Sequence, residues 1–168
     1  MTQGDRPDQL LEIARALAAA DPEFQTIKGP SVGDHATINF MRTLRAEALR
    51  AFGSDFSEQT ICGNNLFAVD FYFPEEATIV EVALGLQNPA SEFEKDILKA
   101  LMAQDVGTPV RRLFFIGRAG AHKKCAQPGR EGVKQWACQT QNLNIEIHEL
   151  GGEPRKRTRR SRPRAEAS

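Results

Sequence analysis

The chain has 168 residues, 40% hydrophobic and 26% charged, with 22 basic and 22 acidic residues for a formal net charge of zero. Its mean hydropathy is −0.43, and no apolar run approaches the roughly 18 residues of a membrane span, so a spanning segment and a membrane partner are excluded. The acidic start, MTQGDRPDQLLEIA, lacks the basic-then-apolar layout of a signal peptide. Cys62, Cys125 and Cys138 are widely spaced and form no Cys-x-x-Cys, which argues against a disulfide framework or a structural zinc site. The expected setting is a reduced, cytoplasmic one.

The neutral total conceals an asymmetry. Residues 153–168 hold seven basic residues, among them Arg155, Lys156, Arg157, Arg159 and Arg160, against Glu153 and Glu166. With those set aside, 15 basic and 20 acidic residues remain in 1–152, a mildly acidic body. The tail has two prolines and no apolar residue larger than alanine, which predicts a disordered segment. Such an arm attracts nucleic-acid phosphates without sequence choice, or serves only to solubilise the terminus.

Along the chain, Leu10, Leu11, Ile13, Ala14, Leu17 and Ala18 fall at helical spacing over Asp8–Ala20, and Asp21-Pro22 ends the run. A linker with Gly29-Pro30 and Gly33 leads to a helix over His35–Phe52, with Asp34 as N-cap and Gly53 as terminator. Its expected inward stripe is Ile38, Met41, Leu44, Ala48 and Phe52. A weak strand over Gln59–Asn64 precedes two strong ones, Leu66–Phe73 and Thr78–Leu84, joined by Pro74-Glu75-Glu76-Ala77 as a hairpin. Ser91 with Glu94 gives a capping box for a helix to about Ala103, with Phe93, Ile97, Leu98 and Leu101 inward. Val110–Ile116 reads as a buried strand, Pro128–Gln139 as a helix with Trp136 in the core, and Leu143–His148 as a strand with one wet face. The expected fold is α/β, a mixed β-sheet flanked by helices. The expected units are an N-terminal helix and linker over 1–33, a core over 34–152, and the tail over 153–168.

The hairpin carries the chemistry. If it is symmetric about the Glu75–Glu76 bond, Asp70 faces Glu81, and both interrupt apolar strands. Facing carboxylates repel at Cβ separations of roughly 4.5–5.5 Å. Two readings are open: an oxygen-ligand site for a hard divalent cation, or a solvent-facing acidic pair.

Val69-Asp70, ten intervening residues, then Glu81-Val82-Ala83, set in a helix–three strands–helix–strand order, resembles the PD-(D/E)XK nuclease superfamily with its restriction-endonuclease-like fold. The topology covers about two-thirds of the chain and the motif two or three residues. The resemblance implies that Asp70 and Glu81 bind Mg2+ (or Mn2+), with Glu47 as an added acidic residue. It also implies hydrolysis of phosphodiester bonds in nucleic acid, DNA above all. The departure is Ala83, where the family carries lysine. Three readings follow: Lys95 on the next helix supplies the amine, Gln87 positions water, or the protein is a catalytically degenerate nucleic-acid-binding or complex-forming module. Arg118, Lys123 and Lys124, in a basic stretch with Gly117 and Gly120, are candidate phosphate contacts, although the spacing is not that of a P-loop. Arg130 near Pro128 is a further candidate, and His35, His122 and His148 read as surface or capping residues.

Overall fold

The computed structural model describes residues 5–21, 24, 35–85 and 92–151. The expected caps Asp34 and Ser91, the Gly29-Pro30 linker, Gln87 and the arginine-rich tail lie outside these residues.

Helix α1 (Arg6–Ala20) starts two residues before the expected Asp8, because Asp5 accepts a hydrogen bond from the Asp8 amide and Pro7 fits a first turn. Helix α2 (His35–Phe52) ends at Gly53, whose φ is +70°. Its buried row is Phe40, Leu44 and Ala48, while Ile38 is exposed, a correction to the expected stripe. Phe40 and Leu44 sit four apart, as the helical period requires.

Strands β1 (Ser57–Gln59), β2 (Val69–Phe73) and β3 (Thr78–Val82) form an antiparallel meander. A short 3-10 turn, Gly63–Asn65, occupies the latter part of the expected weak strand. The hairpin pairs Phe71 with Val80, Tyr72 with Ile79 and Phe73 with Thr78, the register expected from a turn centred on Glu75–Glu76. Helix α3 (Glu92–Asp105) then crosses to β4 (Arg112–Arg118), parallel to β3. Helices α4 (Ala121–Cys125) and α5 (Pro128–Gln141) lead to β5 (Asn144–Leu150), parallel to β4. Among the described residues the five strands lie in sequence order. Helix α4 occupies the latter part of the basic stretch that begins at Gly117 and Arg118.

The sheet separates two apolar cores. On one face Phe71, Phe73, Val80, Phe114 and Ile116 pack with α1 and α2. On the other, Tyr72, Ile79, Leu113 and Phe115 pack with α3, and Ala121, Cys125 and Ala137 extend this core beneath α4 and α5. Trp136 and Leu98 are exposed, against the expectation that both face inward. On α5 the small Ala137 makes the close contact instead.

Helix α1 is fastened by charge as well as by its apolar face. Arg112 on β4 meets Glu146 at 2.8 Å and Asp5 at 2.6 Å, with its guanidinium 4.9 Å from the Phe114 ring centre. Arg6 grips the hairpin turn through Glu76 at 2.8 Å. No helix among the described residues is long and apolar enough to cross a membrane.

Ala77 closes the hairpin at φ +46°, a region unfavourable for a residue with a Cβ, while its carbonyl accepts from the Arg111 amide at 2.7 Å. Left-handed backbone costs alanine about 1–2 kcal/mol, more than the entropic cost of glycine. Ala77→Gly is expected to raise the unfolding free energy by about 0.5–1 kcal/mol, read as a higher urea midpoint at unchanged slope.

Candidate functional site

Asp70 is the second residue of β2 and Glu81 the fourth of β3, so both stand along the edge of the sheet formed by the strand ends, on two of its inner strands. The hairpin register continued by one residue sets them opposite each other, on the α3 face with Tyr72 and Ile79. Backbone hydrogen bonds fix the pair: the Val82 amide donates to Asp70 Oδ2 at 2.8 Å, and the Asp70 amide reaches Glu81 Oε2 at 3.4 Å. Glu81 is only 3% exposed.

A buried cation answers this pair. Lys99, on the second turn of α3, places its Nζ 2.9 Å from Glu81 Oε1, 2.9 Å from Asp96 Oδ1 and 3.1 Å from the Ala68 carbonyl. Those three acceptors match the three N–H donors of an ammonium group. Ala83, buried beside this core, is too short to compete for the place of the amine. Lys95, the expected amine, lies exposed four residues earlier. Four apart, the two lysines share one side of the helix and differ in depth along it: Lys99 is buried with Asp96, Ile97, Ala100 and Ala103, while Lys95 stays exposed in the first turn.

The electrostatics follow from this crowding. Burial, and then the Asp70 and Asp96 charges, push the Glu81 carboxyl well above the usual carboxylate range. Burial likewise raises Asp70, against the lowering effect of the Val82 amide, Lys99 and Arg45. Burial opposes the Lys99 charge, but Glu81 and Asp96 outweigh it and hold the ammonium above the ordinary lysine range. One cation shared among several carboxylates leaves a negative surplus.

Helix α2 contributes Arg45 to this edge. Its guanidinium pairs with Glu58 and lies 3.8 Å from Asp70 Oδ1, while its Nε is buried without a hydrogen-bond partner. Glu47, the expected acidic residue of this helix, pairs instead with Arg50 at 2.9 Å. Glu92, in the first turn of α3, was not singled out from the sequence. One of its carboxylate oxygens is buried without a hydrogen-bond partner, and a Cβ on Gly85 would come within 2.9 Å of it. Burial, then Asp96, raises its carboxyl above the usual range.

The expected phosphate contacts divide. Arg118 is buried, with its guanidinium 5.4 Å from the Phe24 ring centre. The Gly120 and His122 amides, which an anion would need, donate to Glu149 Oε1 at 3.0 and 2.8 Å. Lys123 and Lys124 are exposed on α4. Because β3, β4 and β5 are parallel, α4 and the exit of β5 at Gly151 lie beyond the same sheet edge as Glu81. Arg155 to Arg160 are outside the described residues. Arg130 reaches Glu94 at 3.6 Å. His35 and His122 are exposed, whereas His148 stacks on Phe114 at 4.0 Å and pairs with Glu146 at 3.1 Å. Cys62 and Cys125 are buried free thiols, and burial pushes Cys125 up to about 11, which keeps it protonated at neutral pH.

Among the described residues, no group of three or more His, Cys, Asp or Glu side chains is arranged to hold a metal ion. The donors that Asp70 and Glu81 offer are two oxygen ligands. Comparison with known proteins finds no matching family model, no matching curated protein and no matching solved structure.

Removing the Lys99 charge while keeping its bulk leaves Glu81 and Asp96 buried without their partner. Lys99→Met is expected to lower the unfolding free energy at neutral pH by about 3–5 kcal/mol, measured by denaturant titration. Glu81 gives the opposite sign. Its folded-state pKa lies above that of the unfolded chain, so stability declines as pH rises from the ordinary carboxylate range through the folded value. Glu81→Gln, compared with the unsubstituted protein in chelator, is expected to be more stable at pH 8 by on the order of 1–2 kcal/mol. That gain should vanish below about pH 4, where glutamate is protonated in both states.

Proposed function

We propose that this chain is a divalent-metal-dependent nuclease-like protein of the PD-(D/E)XK type, hydrolysing phosphodiester bonds of nucleic acid, DNA being the favoured substrate. The observation that carries the reading is the junction of Asp70, Glu81 and Lys99 at one sheet edge. It supplies the two carboxylates and the amine that the sequence motif, broken at Ala83, left incomplete. The α/β order of the elements, three antiparallel strands followed by a helix and a parallel strand, is compatible with that family.

The donor set suits Mg2+ or Mn2+, since Asp70 and Glu81 offer oxygen ligands only. Magnesium commonly uses one or two carboxylates and completes its shell with water and substrate phosphate. When bound, such an ion polarises a phosphoryl oxygen and makes a bound water more acidic. The chain's own residues do the positioning. The Val82 amide orients Asp70, and Lys99 orients Glu81 and offsets part of the charge. Arg45 brings a second cation to Asp70. The exposed Lys123 and Lys124 add positive charge toward this edge for a polyanion, and the sequence after β5 carries seven further basic residues.

A second reading, a catalytically degenerate nucleic-acid-binding module, draws on the saturation of Lys99. With its three donors satisfied within the protein, the amine has none left for a water.

Cleavage of supercoiled and linear DNA with Mg2+ or Mn2+ separates the two. The nuclease reading expects metal-dependent cleavage that falls about 1,000-fold in Asp70→Asn and in Glu81→Gln, the several kcal/mol a metal supplies. Full activity in both variants would overturn the reading. Salt-sensitive binding without any cleavage would establish the binding module instead.

A further inference from the structure

Leu66 and Phe67 are adjacent, large and apolar, and 84% and 45% exposed. Leu66 adopts φ +62°, a left-handed backbone that a branched side chain rarely takes. Exposure and strain at one point require a restraint, and the surrounding loop provides it. The Asn65 side chain donates to the Cys62 carbonyl and accepts from the Phe67 amide at 2.8 Å. Its Nδ2 also lies 3.7 Å from Met102 Sδ on α3. Thr108, just beyond α3, donates to the Ile61 carbonyl at 3.3 Å. The loop is thus fastened to α3 at several points, and Leu66 and Phe67 are held outward.

Its position matters more than its exposure. The next residue, Ala68, gives its carbonyl to the Lys99 ammonium. Phe67 precedes Asp70 by three residues, a span of at most about 11 Å. A base neighbouring a phosphate that reaches Asp70 and Glu81 is therefore within reach of this pair.

We propose that Leu66 and Phe67 form an apolar platform on which one nucleobase of the substrate strand stacks beside the phosphate to be cut. The inference rests on the nuclease reading and adds to it a contact with the base. Every nucleobase has an aromatic face, so the platform grips the strand without selecting a sequence. Two side chains at a loop tip match a single base plane. A stable protein interface buries about 800 Å² on each partner.

The test is equilibrium binding of a single-stranded oligonucleotide carrying a fluorescent base analogue at successive positions, in chelator so that no cutting occurs. The full chain is compared with Phe67→Ala, Leu66→Gly and the double variant, with thermal unfolding as a control for folding. Glycine suits the left-handed backbone at 66, so Leu66→Gly removes the side chain without adding strain. The platform predicts quenching at one position by the unsubstituted chain. It also predicts loss of that quenching and about 10- to 100-fold weaker binding in the double variant, with Phe67→Trp restoring both. Tight binding indifferent to all these changes, with cleavage in a parallel Mg2+ assay equally indifferent, would overturn the platform and leave the nuclease reading intact. A concentration-dependent mass that the double variant abolishes would overturn it in favour of self-association. An unsubstituted chain that neither binds nor cuts nucleic acid would overturn both.

Discussion

The ammonium group of Lys99 holds the edge of this molecule together. It is buried, it spends all three donors, and its acceptors come from three elements: the Ala68 carbonyl before β2, Glu81 on β3 and Asp96 on its own helix. Without that cation, the buried Glu81 would face Asp70 across the hairpin, and Asp96 on α3 beside it, in a site of low polarisability. With it, α3 is keyed to the hairpin by charge as well as by Phe93 and Ile97, and the end of β3 is fixed relative to the start of β2.

The balance at that edge is incomplete. Asp70, Glu81, Asp96 and Glu92 outnumber Lys99 and Arg45, and burial first, then these like charges, raises the carboxyls of Glu81, Asp70 and Glu92. A core selected for stability alone would not keep such a group, since an apolar or neutral side chain of like volume costs less to bury. Unrelieved charge of this kind accumulates where chemistry is done, although structural ion networks perturb carboxyls too. The opposite end of the same sheet shows the contrast. There Arg112 is shared by Asp5, Glu146 and Asp8; Asp5 and Glu146 are held below their ordinary range despite burial, while burial and then Asp5 raise Asp8.

Much of this was legible in the sequence because local chemistry and period coincide. The turn Pro74-Glu75-Glu76-Ala77 fixed the hairpin register and therefore the facing of Asp70 and Glu81. Lys99 was harder to find, since a charged residue inside a buried stripe contradicts the usual reading of helix faces. The stripe itself, Phe93, Asp96, Ile97, Ala100, was the available signal. Ile38 and Trp136 misled for the converse reason: apolar residues are often exposed, and which row of α2 or α5 meets the sheet is set by tertiary packing. Helix α4 is one turn long and stabilised from afar by Glu149, so no local pattern announces it. Arg45 and Glu92 depend on contacts between elements distant in sequence, which composition and spacing do not encode.

The claim on which the functional account turns is that Asp70 and Glu81 together bind a divalent cation. Isothermal titration of Mn2+ into the unsubstituted chain and into the Asp70→Asn/Glu81→Gln double variant tests it without reference to any substrate. The account predicts saturable binding of one equivalent in the former and none in the latter. Equal heats in the two proteins would contradict it.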